Sequence, residues 1–171
     1  PLASGVPVAA FGMSQYVSDR VMDRILSDGT DESGLGGTLT GNALALAAMR
    51  ATLEKVITKQ AFRKMMSLAE RFEEGVQGVI DTSGVPWHVA RLGVRIEYHF
   101  CPTAPRNGTE ADAARDADLE KLLHLMLLNR GILMTPFHNM ALIAPSTTRK
   151  DVDRHTEVFG PIAADIAIAQ P

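Results

Sequence analysis

A glycine-rich loop that runs into an alanine-rich helix is the stretch of this sequence best suited to bind a ligand. The loop contains Gly37 and Thr38, and the helix is predicted to begin after Asn42, a residue that often caps helices. Backbone N–H groups are free at a helix start, and the helix dipole favours an anion there. Glycines let the backbone approach such an anion closely.

Two well-known phosphate motifs do not fit this loop. A nucleoside-triphosphate loop would need lysine where Asn42 stands, and a dinucleotide fingerprint would need its third glycine where Leu39 stands. The pair Gly37-Thr38 can offer two N–H groups and one hydroxyl, which suits a single phosphate. Spacing alone leaves open the alternative of an ordinary loop that only caps its helix.

Three blocks of the sequence resemble class III aminotransferases, which use pyridoxal 5′-phosphate (PLP). The segment GGTLTGNALALAAMRATLEKV is similar to the family's GT-x-[ST]-GN-x-L-A segment. The segment PLASGVPVAAFG is similar to the run after the family's cofactor-binding lysine, and four residues match it: Gly5, Pro7, Ala10 and Gly12. The block RGILMTPFHNMALIAPSTTRKDVDRHTEVF resembles the family's C-terminal end, most closely in the glutamate-1-semialdehyde aminomutase branch.

The resemblance implies an α/β chain that forms the C-terminal portion of a fold type I PLP-dependent transferase. The catalytic lysine is then expected immediately before Pro1, with the acidic partner of the pyridinium nitrogen further upstream. Residues 1–57 are expected to form the end of the large PLP-binding domain, and residues 58–171 a small C-terminal α/β domain. Gly37 and Thr38 would contact the cofactor phosphate of the neighbouring subunit in a homodimer.

The activity implied by the resemblance is that of an aminotransferase. Such an enzyme moves an amino group between an amine or amino acid and a keto acid or ketone. Two alternatives stay open: an aminomutase of the glutamate-1-semialdehyde type, and a cofactor-free α/β binding or dimerisation module. The first alternative shares fold and cofactor with the main hypothesis, so the sequence alone separates the two poorly.

The C-terminal block predicts one wall of the substrate pocket. Phe137, His138 and Met140 are expected to line it, because the equivalent stretch lies near the active-site mouth in the resembled family. Many class III aminotransferases carry a carboxylate-binding arginine in the strand that leads to a proline pair. Residues 140–145 contain no arginine here, and a buried carboxylate without a partner is costly. We therefore expect substrates such as amines, β-amino acids or aromatic compounds.

The other chemical candidates are weaker. The five histidines are widely separated and none pairs at the spacing of a zinc site, so no metal is expected. His124 and His155 are predicted to be surface or boundary residues on helices, and His99 to lie on the solvent face of a strand. Cys101 has no evident base beside it and is expected to be an inert thiol.

Composition excludes several functional classes. The chain has 171 residues, of which 46% are hydrophobic and 22% charged, and its net charge is −3, so no basic surface indicates nucleic acid. The sequence has no apolar run of membrane-spanning length. Its single cysteine fits a reducing compartment. A cytoplasmic location is therefore expected, and the resemblance implies small-molecule amino donors and acceptors as partners.

Hydrophobic periodicity predicts the elements that must position these residues. The predicted elements are, in order, a short buried strand at 8–11, helices at 14–26, 42–57 and 59–80, a strand at 92–100, a helix capped by Thr109 and ended by Gly131, strands at 132–135 and 140–144, and a final helix opened by Ser146-Thr147-Thr148. This order predicts helices on one face of a mainly antiparallel sheet in the second half of the chain.

Overall fold

The computed structural model of the protein describes residues 2–28, 36–135 and 138–169. The chain divides into two compact units, with the boundary between Thr58 and Lys59. No helix within the described ranges is both long and apolar enough to cross a membrane.

The first unit contains the helices α1 (Gln15–Asp28) and α2 (Ala43–Lys55), which confirms the two predicted helices. The Asn42 side chain caps α2, since its oxygen accepts a hydrogen bond from the Ala45 N–H at 3.1 Å. The hydroxyls of Ser4 and Thr52 lie 3.0 Å apart and tie the N-terminal segment to α2. The described buried side chains of this unit are small: Ala3, Ala45 and Thr52.

The predicted strand at residues 8–11 is wrong. Residues 7–14 have no regular secondary structure, and Phe11 is 69% exposed. A strand needs a neighbouring strand to satisfy its backbone hydrogen bonds, and the described residues of the first unit form none. The apolar composition of the segment was therefore no evidence for burial within this unit.

The second unit is built on a three-stranded antiparallel sheet with the strand order β1-β2-β3. Its strands are β1 (His88–Leu92), β2 (Arg95–His99) and β3 (Met140–Leu142). β1 and β2 form a tight hairpin in which Leu92 pairs with Arg95. Gly93 lies in the turn with φ +64°, a left-handed conformation that glycine adopts readily. β3 pairs with the other edge of β2.

The strand predicted at residues 92–100 contains β2, but its first residue, Leu92, is the last residue of β1. The alternation holds from Val94 to Phe100, since Ile96 and Tyr98 are buried and both end residues pack against the core, whereas Leu92 is 80% exposed at the hairpin end. The prediction treated Gly93 as a strand residue, although a glycine inside a strand pattern often marks a turn. The strand predicted at 132–135 is also wrong, because those residues have no regular secondary structure.

Four helices complete the described part of the second unit: α3 (Lys59–Ser83), α4 (Gly108–Ala113), α5 (Ala117–Leu128) and α6 (Arg149–Ala169). α3 packs against α6 and against β1 and β2. The predicted helix at 59–80 and the predicted final helix are confirmed. Thr148 opens α6 in a capping box: its N–H donates to the Asp151 carboxylate at 2.8 Å, and its hydroxyl accepts from the Asp151 N–H at 3.3 Å.

The helix predicted after Thr109 is two helices, and Thr109 is not its cap. Asn107 caps α4 by accepting a hydrogen bond from the Glu110 N–H at 3.0 Å, and Asp116 caps α5 by accepting from the Leu119 N–H at 2.9 Å. As predicted, Gly131 follows the end of the longer helix in a left-handed conformation, with φ +81°.

His155 lies in the core of the second unit, so its predicted surface or boundary position is wrong. It is 3% exposed, and its Nε2 lies 2.6 Å from the Tyr98 hydroxyl. Burial lowers the pKa of His155 to about 4 and raises the pKa of Tyr98. The sequence did hold a signal, since His155 follows Val152 by three residues and precedes Phe159 by four, and both of those face the core.

Candidate functional site

A pocket of about 650 Å³ in the first unit brings two of the resemblance blocks together. It is lined by Pro7, Val8, Ala9, Phe11, Gly36, Gly37, Leu39, Thr40, Gly41, Asn42, Ala45 and Leu46. Most of these residues are apolar, and the polar side chains come from Thr40 and Asn42. A largely apolar pocket with a few polar groups at one end is typical of small-molecule sites.

The polar end of the pocket is a tight turn from Gly37 to Thr40. The Thr40 N–H donates to the Gly37 carbonyl at 2.8 Å, and the Gly37 N–H donates to the Thr40 hydroxyl at 2.6 Å. Gly36 precedes the turn with φ +88°, and a Cβ at this position would lie 2.6 Å from Thr40 Oγ1. Both observations require glycine at position 36.

Thr38 stands at the tip of this turn with its hydrogen-bonding groups free. Its side chain is exposed, and it makes no hydrogen bond to any residue that the structure describes. The N–H of Gly37, by contrast, is already taken up by Thr40. Thr38 does not belong to the lining of the pocket, whereas Thr40 does. The donors left on the turn for a small anion are therefore the N–H and hydroxyl of Thr38 on its exposed side and the hydroxyl of Thr40 at the pocket, rather than two N–H groups from Gly37 and Thr38.

α2 begins directly after the turn and adds to its affinity for an anion. The positive end of the helix dipole is directed towards the loop. The Asn42 side chain accepts a hydrogen bond from the Ala45 N–H of the first turn. No acidic side chain belongs to the described lining of this pocket. The loop can thus bind one phosphate-sized anion without an opposing charge.

A second pocket, of about 330 Å³, lies in the second unit and contains His138. It is lined by Arg95, Glu97, Tyr98, His99, Phe100, Gly108, Ala111, Asp112, Ala114, Arg115, Glu120, His138 and Asn139. His138 is half-exposed, and its Nδ1 lies 3.8 Å from a Glu97 carboxylate oxygen. The other oxygen of Glu97 accepts a hydrogen bond from Arg95 at 2.6 Å. Burial lowers the pKa of His99 in the same pocket.

Of the residues predicted to form the substrate wall, His138 lines this pocket. Met140 is half-buried and pairs with Glu97 across the strands, but it does not line the pocket. Phe137 lies outside the described residues. From the sequence alone Arg95 is expected on a solvated strand face; in the structure it pairs with Leu142 and therefore stands beside the stretch that lacks an arginine. The register of β2 against β3 places Arg95 beside this stretch, and it joins residues that lie far apart in the sequence.

Comparison with known proteins relates the chain to one group of enzymes. No protein-family model matches it. It is 31% identical over 153 residues to a glutamate-1-semialdehyde 2,1-aminomutase from Anaeromyxobacter dehalogenans, an alignment that covers 90% of this chain and 34% of that protein. The chain thus spans about a third of the length of the curated relatives it matches.

Solved structures agree with this relationship. A variant of a glutamate-1-semialdehyde aminomutase from Pseudomonas aeruginosa PAO1, crystallised in complex with PMP, is 45% identical and has a TM-score of 0.87, over 98% of this chain and 37% of that one. An omega-transaminase from Sphaerobacter thermophilus has a TM-score of 0.73 at 23% identity, over 98% of this chain and 37% of that one, and shares the fold.

Proposed function

Because the chain corresponds to the C-terminal part of a class III, fold type I PLP-dependent aminotransferase of the glutamate-1-semialdehyde aminomutase-like branch, we propose that the intact protein is a PLP-dependent aminotransferase. It would move an amino group between an amine or amino acid and a keto acid or ketone. The observation that carries the proposal is the pocket of the first unit. Two sequence blocks of the resembled family form its walls, and a turn with free hydrogen-bond donors closes one end.

The turn from Gly37 to Thr40 fits the phosphate of PLP. Thr38, which is exposed outside the pocket lining, would donate from its N–H and hydroxyl, Thr40 would donate from its hydroxyl, and Gly37 would allow the close approach of the backbone. The dipole of α2 would stabilise the phosphate charge. When bound, PLP supplies the electron sink that removal of a proton from the substrate carbon requires.

The catalytic lysine is proposed to stand immediately before Pro1. The spacing of Gly5, Pro7, Ala10 and Gly12 supports this position, because it matches the run that follows the family's lysine. That lysine would bind the cofactor covalently and serve as the base that takes the proton from the substrate carbon. The chain described here would supply the phosphate contact and a wall of the substrate pocket.

The exposed apolar side chains of the first unit support a homodimer in which the site is shared. They are Leu2, Phe11, Met13, Tyr16, Val17, Met22, Leu26, Leu39, Leu44, Leu46, Leu53 and Val56. So much apolar surface on about 58 residues is typical of a surface that other protein covers. We propose that the rest of the large domain and a second subunit cover it, with Thr38 contacting the cofactor of that subunit. The single cysteine supports a cytoplasmic location.

The pocket around His138 supports a substrate-binding wall in which the positive charge of an arginine is paired with a glutamate carboxylate. Arg95 pairs with Leu142 in the strand that lacks an arginine, and its guanidinium is paired with Glu97. A paired guanidinium offers fewer donors to a substrate carboxylate than a free one. We therefore propose amines, β-amino acids or aromatic compounds as substrates, with His138 providing a hydrogen bond.

The aminomutase is the second candidate, and it is favoured by the names of the relatives. The two are separated by supplying the intact, PLP-loaded protein with an amine donor and 2-oxo acid acceptors. With an acceptor present, an aminotransferase forms equal amounts of carbonyl product and new amino acid. Without an acceptor, it forms no new amino acid, and the carbonyl product does not exceed one equivalent of the bound cofactor. An aminomutase converts glutamate-1-semialdehyde without an external acceptor. A protein that does neither and shows no PLP absorbance would be a binding module.

A further inference from the structure

The hydroxyl of Thr40 forms one of a pair of hydrogen bonds with Gly37 that the family resemblance does not assign. It accepts the Gly37 N–H at 2.6 Å, while the Thr40 backbone N–H donates to the Gly37 carbonyl at 2.8 Å. The same pair of residues is thus joined by two hydrogen bonds in opposite directions. This arrangement holds the turn closed and keeps Thr38 at its tip.

The hydroxyl proton of Thr40 is left over in this arrangement. A hydroxyl can accept one hydrogen bond and donate another, and the described residues contain no acceptor for this proton. Because Thr40 lines the pocket of the first unit, the proton can be directed into that pocket. A hydroxyl that already accepts one hydrogen bond is also polarised to donate more strongly.

Gly36 shows that the sequence around the turn is adapted to Thr40. A Cβ at position 36 would approach Thr40 Oγ1 to 2.6 Å and Thr40 Cγ2 to 3.1 Å. Removal of the glycine would push the Thr40 side chain away from the Gly37 N–H. The glycine at position 36 therefore protects the position of this hydroxyl as well as the backbone conformation.

We propose that Thr40 is the positioning residue of the anion-binding turn. Its hydroxyl oxygen fixes the Gly37 N–H, and this fixes Thr38 at the tip and directs the Thr40 hydroxyl proton towards the anion. The proposal rests on the proposed function, since the anion in question is the PLP phosphate. It assigns the Gly37 N–H to the protein rather than to the phosphate.

Three variants of the intact protein test this role. Thr40→Val keeps the size of the side chain but removes the hydroxyl, and Thr40→Ser restores it. Thr38→Val removes a direct phosphate contact without touching the hydrogen bonds between Gly37 and Thr40. Each variant is titrated with PLP and with pyridoxal, which lacks the phosphate, and hydrogen exchange of the Gly37 amide is measured in the cofactor-free protein.

Thr40→Val should weaken PLP binding at least tenfold, leave pyridoxal binding within twofold, and raise the exchange rate of the Gly37 amide at least tenfold. Thr40→Ser should rescue both properties, and Thr38→Val should weaken PLP binding without changing the exchange of Gly37. Unchanged PLP affinity or unchanged Gly37 exchange in Thr40→Val would overturn the proposal, as would an equal loss of PLP and pyridoxal. A wild-type protein that binds no PLP would instead refute the proposed function, and the exchange rates would still show whether Thr40 holds the turn.

Discussion

Acidification from pH 7.5 to pH 5 should destabilise the second unit, because His155 is buried there in its neutral form. Its ring is enclosed by Phe72, at 4.3 Å between ring centroids, and it shares a hydrogen bond with Tyr98. Burial lowers the pKa of His155 to about 4, whereas an exposed histidine in the unfolded chain has a pKa of about 6.5. The unfolded chain therefore takes up a proton first, and stability that is complete above pH 6.5 is lost as the pH falls towards 4.

The size of the effect follows from the two pKa values of His155. The gap between about 6.5 and about 4 corresponds to about 3 kcal/mol once the pH is below both values, at about 1.4 kcal/mol for each pH unit. At pH 5 about 2 kcal/mol of this stability should be lost relative to pH 7.5. A loss of that size is a large share of the stability of an ordinary domain.

Native-state hydrogen exchange of α3 and α6 in the intact protein measures this loss directly. The opening free energy of both helices should be about 2 kcal/mol lower at pH 5 than at pH 7.5, after correction for intrinsic exchange rates. The double variant His155→Leu with Tyr98→Phe removes both polar groups together, so that neither is left buried without its partner. This variant should lose most of the pH dependence between those two values.

The control variant is His138→Gln, which replaces a half-exposed histidine of the same unit. It should retain the full decline towards pH 5. Equal opening free energies at pH 5 and pH 7.5 in the wild-type protein would refute the reasoning. So would a double variant whose helices weaken with acid as much as those of the wild type.

Three further predictions concern the site and the packing of helices. Thr38→Ala should weaken PLP retention by about one to two orders of magnitude, since a hydrogen bond to a charged group contributes about 1.5–3 kcal/mol; unchanged affinity in a PLP titration would speak against the phosphate contact. Gly75→Ala should lower the melting temperature, because the new Cβ would lie 2.5 Å from Thr156 Oγ1 between α3 and α6. Gly78→Ala should raise the melting temperature, because its Cβ would meet open space and alanine favours the helix. Equal shifts of the melting temperature in the two variants would contradict this packing. An amine should match or exceed the corresponding α-amino acid in kcat/KM, and His138→Ala should lower both; a preference for the amino acid by several orders of magnitude would exclude the proposed substrate wall.

The long helices could be predicted from the sequence because their signals are local and repeated. The helix α3 and the Asn42 cap of α2 each depend on residues a few positions apart, and both are found in the structure. The hairpin of β1 and β2 could not be predicted in the same way. Its partner strand has no clear alternation, and the turn is marked only by Gly93.

The candidate site shows the same division between local and distant information. Motif spacing was enough to select Gly37 and Thr38, but not to show that the Gly37 N–H is taken up by the Thr40 hydroxyl. The nearness of Arg95 to His138 depends on the pairing of β2 with β3, whose residues lie far apart in sequence. Such long-range register is set by the packing of the whole unit rather than by any single motif.

Identification of the residue that PLP modifies tests the central claim most directly. The intact protein is incubated with PLP, reduced with borohydride, digested, and mapped by mass spectrometry. We expect one reduced cofactor per subunit, attached to a lysine that immediately precedes Pro1. A label on any other residue, or a protein that remains unlabelled, would contradict the claim that this chain belongs to a PLP-dependent aminotransferase.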